Sequence, residues 1–418
     1  MFKKITPLFW IALFVWSVGL ADLNAQTMFF DSNSNKVTQL EIDAFKTYVK
    51  KEVMLPTYHG GNVWVFGSQG RVIEACGQMF EVSKDVEILD EMVKLCDAAL
   101  AGRNDLAPAA NGGQQKAWTG QVEPIWPSSK VGVTPIGGGI EQGRVLSHLA
   151  FCAFQILQTP SIWNTPVSIG DPFRFGATYR ERALKYVHES DYVIDRWILP
   201  HFIRTSDRNR YYFPGAPNTY KVNEPAPWNQ AWMLTDALVR LTQCHGLLGD
   251  APTRIKQYDA IVQPNIDWFF SSLQPATSNS GSKCWKWLYS LSQTNTEDSN
   301  HAAYDVEGLY IAYSSGRYGI TFSDMVPFAN TYFDIVLTTS QQGKFAGRID
   351  ATTGVGNAGG DNYVCEEYIY LLDFRPEKFS EVLEIEKNAN KIATSPLITA
   401  RLLWQKNRRS GLKVIQKS

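Results

Sequence analysis

The chain has 418 residues, with 40 lysines and arginines against 41 aspartates and glutamates and a formal net charge of −1. That balance excludes the global basic field that gathers nucleic acid, so recognition of a polyanion has to be local. Six cysteines (Cys76, Cys96, Cys152, Cys244, Cys284 and Cys365) lie far apart with no CxxC or HxxxH spacing; a metal site has no support, and buried free thiols and disulfides stay equally open.

At the N terminus, Lys3 and Lys4 precede an uncharged apolar run ending at Leu20, with small Gly19 and Ala21 beside it. This pattern predicts a secretory leader over 1–21 and export to the periplasm or beyond the cell. No later apolar stretch reaches the roughly 20 residues that cross a bilayer. No linker with a change of composition divides the remainder, so 22–418 reads as one domain.

Apolar residues recur at three- and four-residue spacing over about 37–54, 84–102, 140–158, 176–200, 228–247, 252–272, 299–315, 324–340, 361–373 and 389–407. Each is a predicted helix. Between the first two, Gly61–Phe80 carries Val63, Val65 and Val72 among glycines and admits a short hairpin. Helices in series without strands predict an all-α fold, and consecutive antiparallel pairs close naturally into an α/α toroid of six or seven hairpins.

Four long loops, roughly 104–139, 202–227, 274–298 and 341–360, each end where a patterned helix begins. Loops of this length are commonly functional. If the four following helices form the inner ring, their N-termini meet at one mouth and build a cleft. The chain also carries 13 Trp, 18 Tyr and 22 Phe. Aromatic residues in the loops and their flanks, among them Trp118, Trp126, Tyr211, Tyr212, Trp285 and Trp287, suit the faces of sugar rings, although most aromatics in any chain pack in cores.

The stretch Thr296-Glu297-Asp298-Ser299-Asn300-His301-Ala302-Ala303-Tyr304-Asp305 holds the most chemistry. Asp298 or Ser299 caps a helix, which sets Asn300, His301 and Tyr304 in its first turns and on one face. A capped packing helix is the plainer alternative. The motif resembles the Asn/His/Tyr helix start of α/α-toroid lyases acting on uronates, above all the alginate and glucuronan lyases of polysaccharide lyase family thirty-eight. Pro227-Trp228-Asn229-Gln230 adds to that resemblance.

The resemblance implies β-elimination on an acidic polysaccharide with no cofactor or metal. Such a reaction neutralises the uronate carboxylate, removes the C5 proton and protonates the departing O4. Asn300, Asn229 and Gln230 are the candidate amide donors, Tyr304 the proton-transfer residue and His301 its assistant or, on substrates with an anti arrangement, the base. Candidate substrate contacts are Trp228, Trp126, Glu297 and Glu141, with Arg144 and Arg348 as cations for substrate carboxylates. Arg144 pairs equally well with Glu141 one turn away, His148 reads as packed, and Lys344 and Arg348 suit solvated surface as readily as a subsite. The runs Gly137–Gly139 and Gly354–Gly360 lack a P-loop context and read as cleft rims.

Two rivals fit the same fold. A glycoside hydrolase needs two carboxyls roughly 6.5–9.5 Å apart for inversion, and Glu141, Asp236, Glu297, Asp298, Glu366 and Glu367 are the candidates. A non-catalytic glycan-binding protein would need no proton-transfer group.

Overall fold

The computed structural model describes residues 27–52, 62–128, 133–337, 345–359 and 366–415. The proposed leader, Lys344 and Cys365 fall outside them. In chain order, α1 (Gln39–Val49) is followed by the short α2 (Asn62–Gln69), then α3 (Arg71–Ser83), α4 (Val86–Ala101), α5 (Gln142–Leu157) and α6 (Tyr179–Val193). A π turn carries α6 into α7 (Leu199–Phe202). Next come α8 (Trp228–Leu248), α9 (Pro252–Ser272), α10 (Ser299–Ser314) and α11 (Phe322–Thr331). A 3-10 segment, Glu366–Asp373, leads to α12 (Phe379–Asn388), α13 (Lys391–Thr394) and α14 (Pro396–Ile415).

Local sequence explains many of these boundaries. Thr38 with Glu41 and Thr178 with Glu181 form reciprocal capping boxes that open α1 and α6, and Thr321 with Asp324 opens α11 in the same way. Gly249, in the left-handed region at φ 66°, ends α8.

The packing closes a ring. Helix α3 lies against α5, α5 against α8, α8 against α10, α10 against the 3-10 segment, that segment against α14, and α14 against α3. Outside them, α4 backs α3 and α5, α6 backs α5, α9 backs α8, α11 backs the 3-10 segment, α12 joins α14 through α13, and α1 covers α3 and α14. Among the described residues this is an all-α toroid with six inner and six outer members, so the ring closes at six hairpins, not seven.

Glycines set the spacing of the inner wall. A Cβ on Gly143 would stand 2.4 Å from the Leu234 Cα, and one on Gly308 would stand 2.9 Å from the Trp232 carbonyl. Helices α5 and α10 therefore approach α8 backbone to backbone. The same device explains the failed hairpin expectation over 61–80, which forms α2 and α3. Gly70 and Gly77 there are not turn signals; added Cβ atoms would lie 2.0 Å from the His148 ring and 2.2 Å from the Phe151 ring. Ile73, Cys76, Met79 and Phe80 supply the buried stripe.

Helix α12 was also not anticipated. Two small antiparallel pairs occupy the second and third long loops: β1 (Ile203–Arg204) with β2 (Arg210–Tyr211), and β3 (Gln274–Thr277) with β4 (Lys283–Lys286). Cys76, Cys96, Cys152, Cys244 and Cys284 are free and buried. Among the described residues no helix is long and apolar enough to cross a membrane.

The ring's interior is charged. Arg240 on α8 holds Glu74 on α3 with two bonds of 2.7 and 3.0 Å, and its Nε lies 2.8 Å from Asp236. His148 is packed, with Nδ1 2.9 Å from Glu74. Glu307 on α10 is clasped by Arg144 and Arg401. Burial pushes its carboxyl up, and the two guanidiniums more than reverse that, leaving it below the usual range. Charges so deep are tolerated only when paired across helices, and here they tie the inner helices together beneath the mouth.

Candidate functional site

At the mouth lies a cleft of about 590 Å³. Three helix starts converge on it. Gly138, Gly139 and Glu141 lead into α5, Asn229, Gln230 and Met233 open α8, and Asn300, His301 and Tyr304 open α10. Ser128 and the loop residues Phe213, Asn218, Thr219, Tyr220 and Tyr289 complete the walls with Trp64 of α2. Three of the four long loops thus meet at the mouth; none of the described residues of the fourth lines the cleft, including Gly354–Gly359.

Asp298 caps α10 in an extended conformation, accepting from the His301 backbone N–H at 2.9 Å. Its other oxygen lies 2.7 Å from His301 Nδ1. The Tyr289 ring stands 5.1 Å from the imidazole, and the Tyr289 and Tyr220 hydroxyls are 3.2 Å apart. One turn further along α10, the Tyr304 hydroxyl accepts from the Arg71 guanidinium at 3.0 Å. Arg71 also meets Glu366 at 3.3 Å and Glu367 at 3.6 Å. Arg144 lies under the Tyr304 ring, 5.2 Å from its centroid.

Burial raises the Tyr304 hydroxyl above its ordinary pKa and nearby Glu367 adds to this, while Arg71 and Arg144 pull it down. Two guanidiniums beside one phenol are the arrangement that favours its ionised form. The Asn229 and Gln230 side-chain oxygens are buried and without a hydrogen-bond partner among the described residues, and both residues line the cleft. A buried amide oxygen left unpaired costs free energy until a donor, such as a sugar hydroxyl, pairs with it.

Glu141 is buried in the wall. Its carboxylate accepts from the Gly139 N–H at 2.8 Å. Burial raises its pKa, opposed by hydrogen bonds from its own and the Gly139 backbone and from Ser128. Gly139 leaves room for that carboxylate, since a Cβ there would stand 2.1 Å from Glu141 Oε2 and the carboxylate would have to shift.

Several expected contacts lie elsewhere. Trp228 is buried against Trp268 and Phe269, and Trp126 is buried with its indole N–H on the Ala99 carbonyl at 2.7 Å. Both serve the core. Glu297 is fully buried behind the cleft; burial, Asp305 and Asp298 hold its pKa well above the usual range. Arg348 donates to the Thr296 carbonyl at 2.6 Å and fastens the loop before α10. Arg144 does not pair with Glu141, since its partners are Glu307 and Glu367.

The named aromatics also lie apart from the lining. Trp118 packs on Trp197, Tyr211 bonds Thr235, Tyr212 bonds Asp207, Trp285 sits in β4 and Trp287 donates to Asp305. Instead Trp64, 41% exposed, joins Phe213, Tyr220 and Tyr289.

Of the acidic candidates, Glu141 is the carboxylate lining the cleft among the described residues. Asp236 is held by Arg240 and Ser147, Glu366 by Arg71, Glu367 lies between Arg71 and Arg144, and Asp298 is committed to His301.

No family model matches the sequence, and no curated protein matches it. Among solved structures the chain is similar to a family 76 glycoside hydrolase from a bovine Bacteroides thetaiotaomicron strain, at 11% identity and a TM-score of 0.39 over 75% of this chain. The match spans 55% of that protein's length. A likeness so distant assigns neither chemistry nor substrate.

Proposed function

We propose that this chain is a carbohydrate-active enzyme, and within that class a polysaccharide lyase that cleaves a uronate-containing polymer of the mannuronan or glucuronan kind by β-elimination. The observation that carries the reading is the Tyr304 hydroxyl on the Arg71 guanidinium at 3.0 Å, one turn from the cleft-lining His301. Elimination needs a group that carries one proton from C5 to O4 without itself attacking carbon, and a phenol whose ionised form two guanidiniums support against the raising effect of burial can fill that role.

In the proposed reaction the substrate carboxylate accepts from the Asn229, Gln230 and Asn300 amides, which spreads the negative charge that develops when C5 loses its proton. Tyrosinate 304 takes that proton. The C5–H electron pair becomes the C4=C5 double bond, and the C4–O4 bond breaks with its electrons on O4. The same phenol then returns the proton to O4, as the syn arrangement of C5–H and O4 in mannuronate and glucuronate allows. His301 assists at the same face. Trp64, Tyr220 and Tyr289 offer ring faces to neighbouring sugars.

A glycoside hydrolase is the second reading, favoured by Glu141, whose raised pKa suits a general acid. It lacks a partner carboxylate in the lining among the described residues.

The deciding experiment incubates purified protein with alginate blocks, glucuronan and other uronate polymers while following ultraviolet absorbance of the unsaturated product and the yield of reducing ends. Lyase action raises both, and Tyr304→Phe removes both, a loss of about 100-fold or more in kcat if proton transfer is its role. Reducing ends without absorbance would overturn the lyase reading in favour of hydrolysis. Saccharide binding unchanged by Tyr304→Phe, with neither product, would favour a binding protein.

A further inference from the structure

The residue that sets the state of His301 is not in the cleft lining. We infer that Asp298 is a positioning residue that fixes the imidazole with its proton on Nδ1 and so presents Nε2 to the substrate; the kinetic part of this inference rests on the proposed elimination, the tautomer part does not.

The geometry gives Asp298 two separable jobs. Oδ1 accepts from the His301 backbone N–H at 2.9 Å and starts α10. Oδ2 lies 2.7 Å from Nδ1, the length of a charge-assisted hydrogen bond. A carboxylate only accepts, so Nδ1 must carry the proton and Nε2, on the other edge of the ring, is the basic nitrogen of the neutral form. Helix capping by itself needs one oxygen. The second does nothing for the helix, and its target is the side chain that lines the cleft.

Asp298 is itself held from behind. Its backbone N–H donates to Glu297 Oε1 at 3.0 Å, its backbone bridges to that of Arg348, and the next residue, Ser299, donates through N–H to the Gly347 carbonyl at 3.0 Å. Among the described residues, ionisable groups that face the imidazole include Asp298, Glu297 at 3.9 Å from Nδ1, and Tyr289 on its flank, with Tyr304 one turn along the helix and Arg348 near Glu297. Tyr289 restricts ring rotation. Asp298 selects which nitrogen faces which way.

Glu297, Asp298 and His301 also bring donor atoms within 4.8 Å of one another, close enough for a shared cation. The hydrogen-bonded reading is favoured because each Asp298 oxygen and Glu297 Oε1 already accepts from a specific donor.

Three variants separate the roles. Asp298→Ser keeps a good cap and loses the second oxygen, Asp298→Asn keeps the cap and turns a donor or a weaker acceptor toward Nδ1, and Asp298→Ala loses both. Nitrogen NMR on histidine-labelled full-length protein reads the His301 tautomer directly, with assignment by His301→Gln. The expected result is Nδ1–H in the parent chain and a shift toward Nε2–H or a tautomer mixture in Asp298→Ser and Asp298→Asn, with thermal midpoints near the parent's. On a uronate polymer that the parent cleaves, both should lower kcat roughly 10- to 100-fold with KM nearly constant.

Unchanged tautomer signals in Asp298→Ser and Asp298→Asn would overturn the inference and leave Asp298 as a cap alone. Stoichiometric uptake of zinc or manganese by the parent chain, lost in Asp298→Ser, would overturn it in favour of a cation site. Tautomer control without lyase activity on any polymer would leave the positioning role standing and remove the elimination reading instead.

Discussion

Replacing Arg71 by methionine tests whether the guanidinium on Tyr304 tunes its proton affinity. In the parent protein the 3.0 Å contact is a hydrogen bond to a charged donor, a class worth about 1.5–3 kcal/mol. The sign follows from charge. A cation favours phenolate, so its loss moves Tyr304 upward, in the same direction as burial and as Glu367, which also loses a counter-ion. If tyrosinate is the base, the rate at neutral pH falls about 10- to 100-fold, the rate equivalent of about 1.5–3 kcal/mol, and the ascending limb of kcat/KM moves to higher pH. Arg71→Lys, which keeps the charge and loses the fork, should fall between. The assay is unsaturated-product absorbance from about pH 6 to about pH 11, past the ordinary tyrosine value of about 10, on protein shown folded by circular dichroism, because the change also leaves Glu366 and Glu367 short of a partner. An ascending limb that stays in place in Arg71→Met would refute the reasoning, whatever happens to the absolute rate.

Gly143→Ala should destabilise the toroid by about 1–3 kcal/mol or more, since the new methyl meets the Leu234 backbone and has no flexible neighbour to displace; a thermal midpoint equal to the parent's would contradict the close α5–α8 approach. Glu386, buried on α12, has its pKa pushed up to about 8 by burial and by Glu366. A raised carboxyl holds its proton more tightly folded than unfolded, so it withdraws stability as pH rises from the ordinary 4.5 toward 8. Glu386→Gln should therefore raise the melting temperature relative to the parent above pH 8 and have little effect near pH 4.5; the reverse order would contradict the assignment.

Legibility in the sequence followed local spacing. Asn300, His301 and Tyr304 share a helix face by arithmetic of three and four residues, and the Asn229/Gln230 and Glu141 starts follow long loops, so their meeting at one mouth was derivable once an inner ring was assumed. Arg71 was hidden because its helix starts among Gly67, Gly70 and Gly77, which in isolation signal turns and in the fold make room for Arg144, His148 and Phe151. The alternation of Ile73, Cys76, Met79 and Phe80 was the signal that could have found it. Trp126 and Trp228 show a different limit: an aromatic beside a loop has the same local pattern whether its ring faces a sugar or the core, and only the packing of Ala99 or Trp268 decides.

The net charge of −1 gave no sign of an acidic ligand, and the cleft explains how one could still be recognised. Among the described residues its lining contains a carboxylate, Glu141, and no lysine or arginine. Lys221 stands beside Tyr220 and Tyr289, and Arg71 and Arg144 attend the Tyr304 hydroxyl and ring. Positive potential at the mouth then comes from these cations together with the N-terminal dipole ends of α5, α8 and α10 and the side-chain amides they carry. Such donors are fixed in direction, unlike mobile surface lysines. In the proposed elimination they can strengthen as charge moves from the C5–H bond toward the carboxylate, and the energy they supply is then weighted toward the transition state. On this view the convergence of three helix starts is what joins the toroid's architecture to its chemistry, because only a ring of parallel inner helices brings that many N-termini to one sugar.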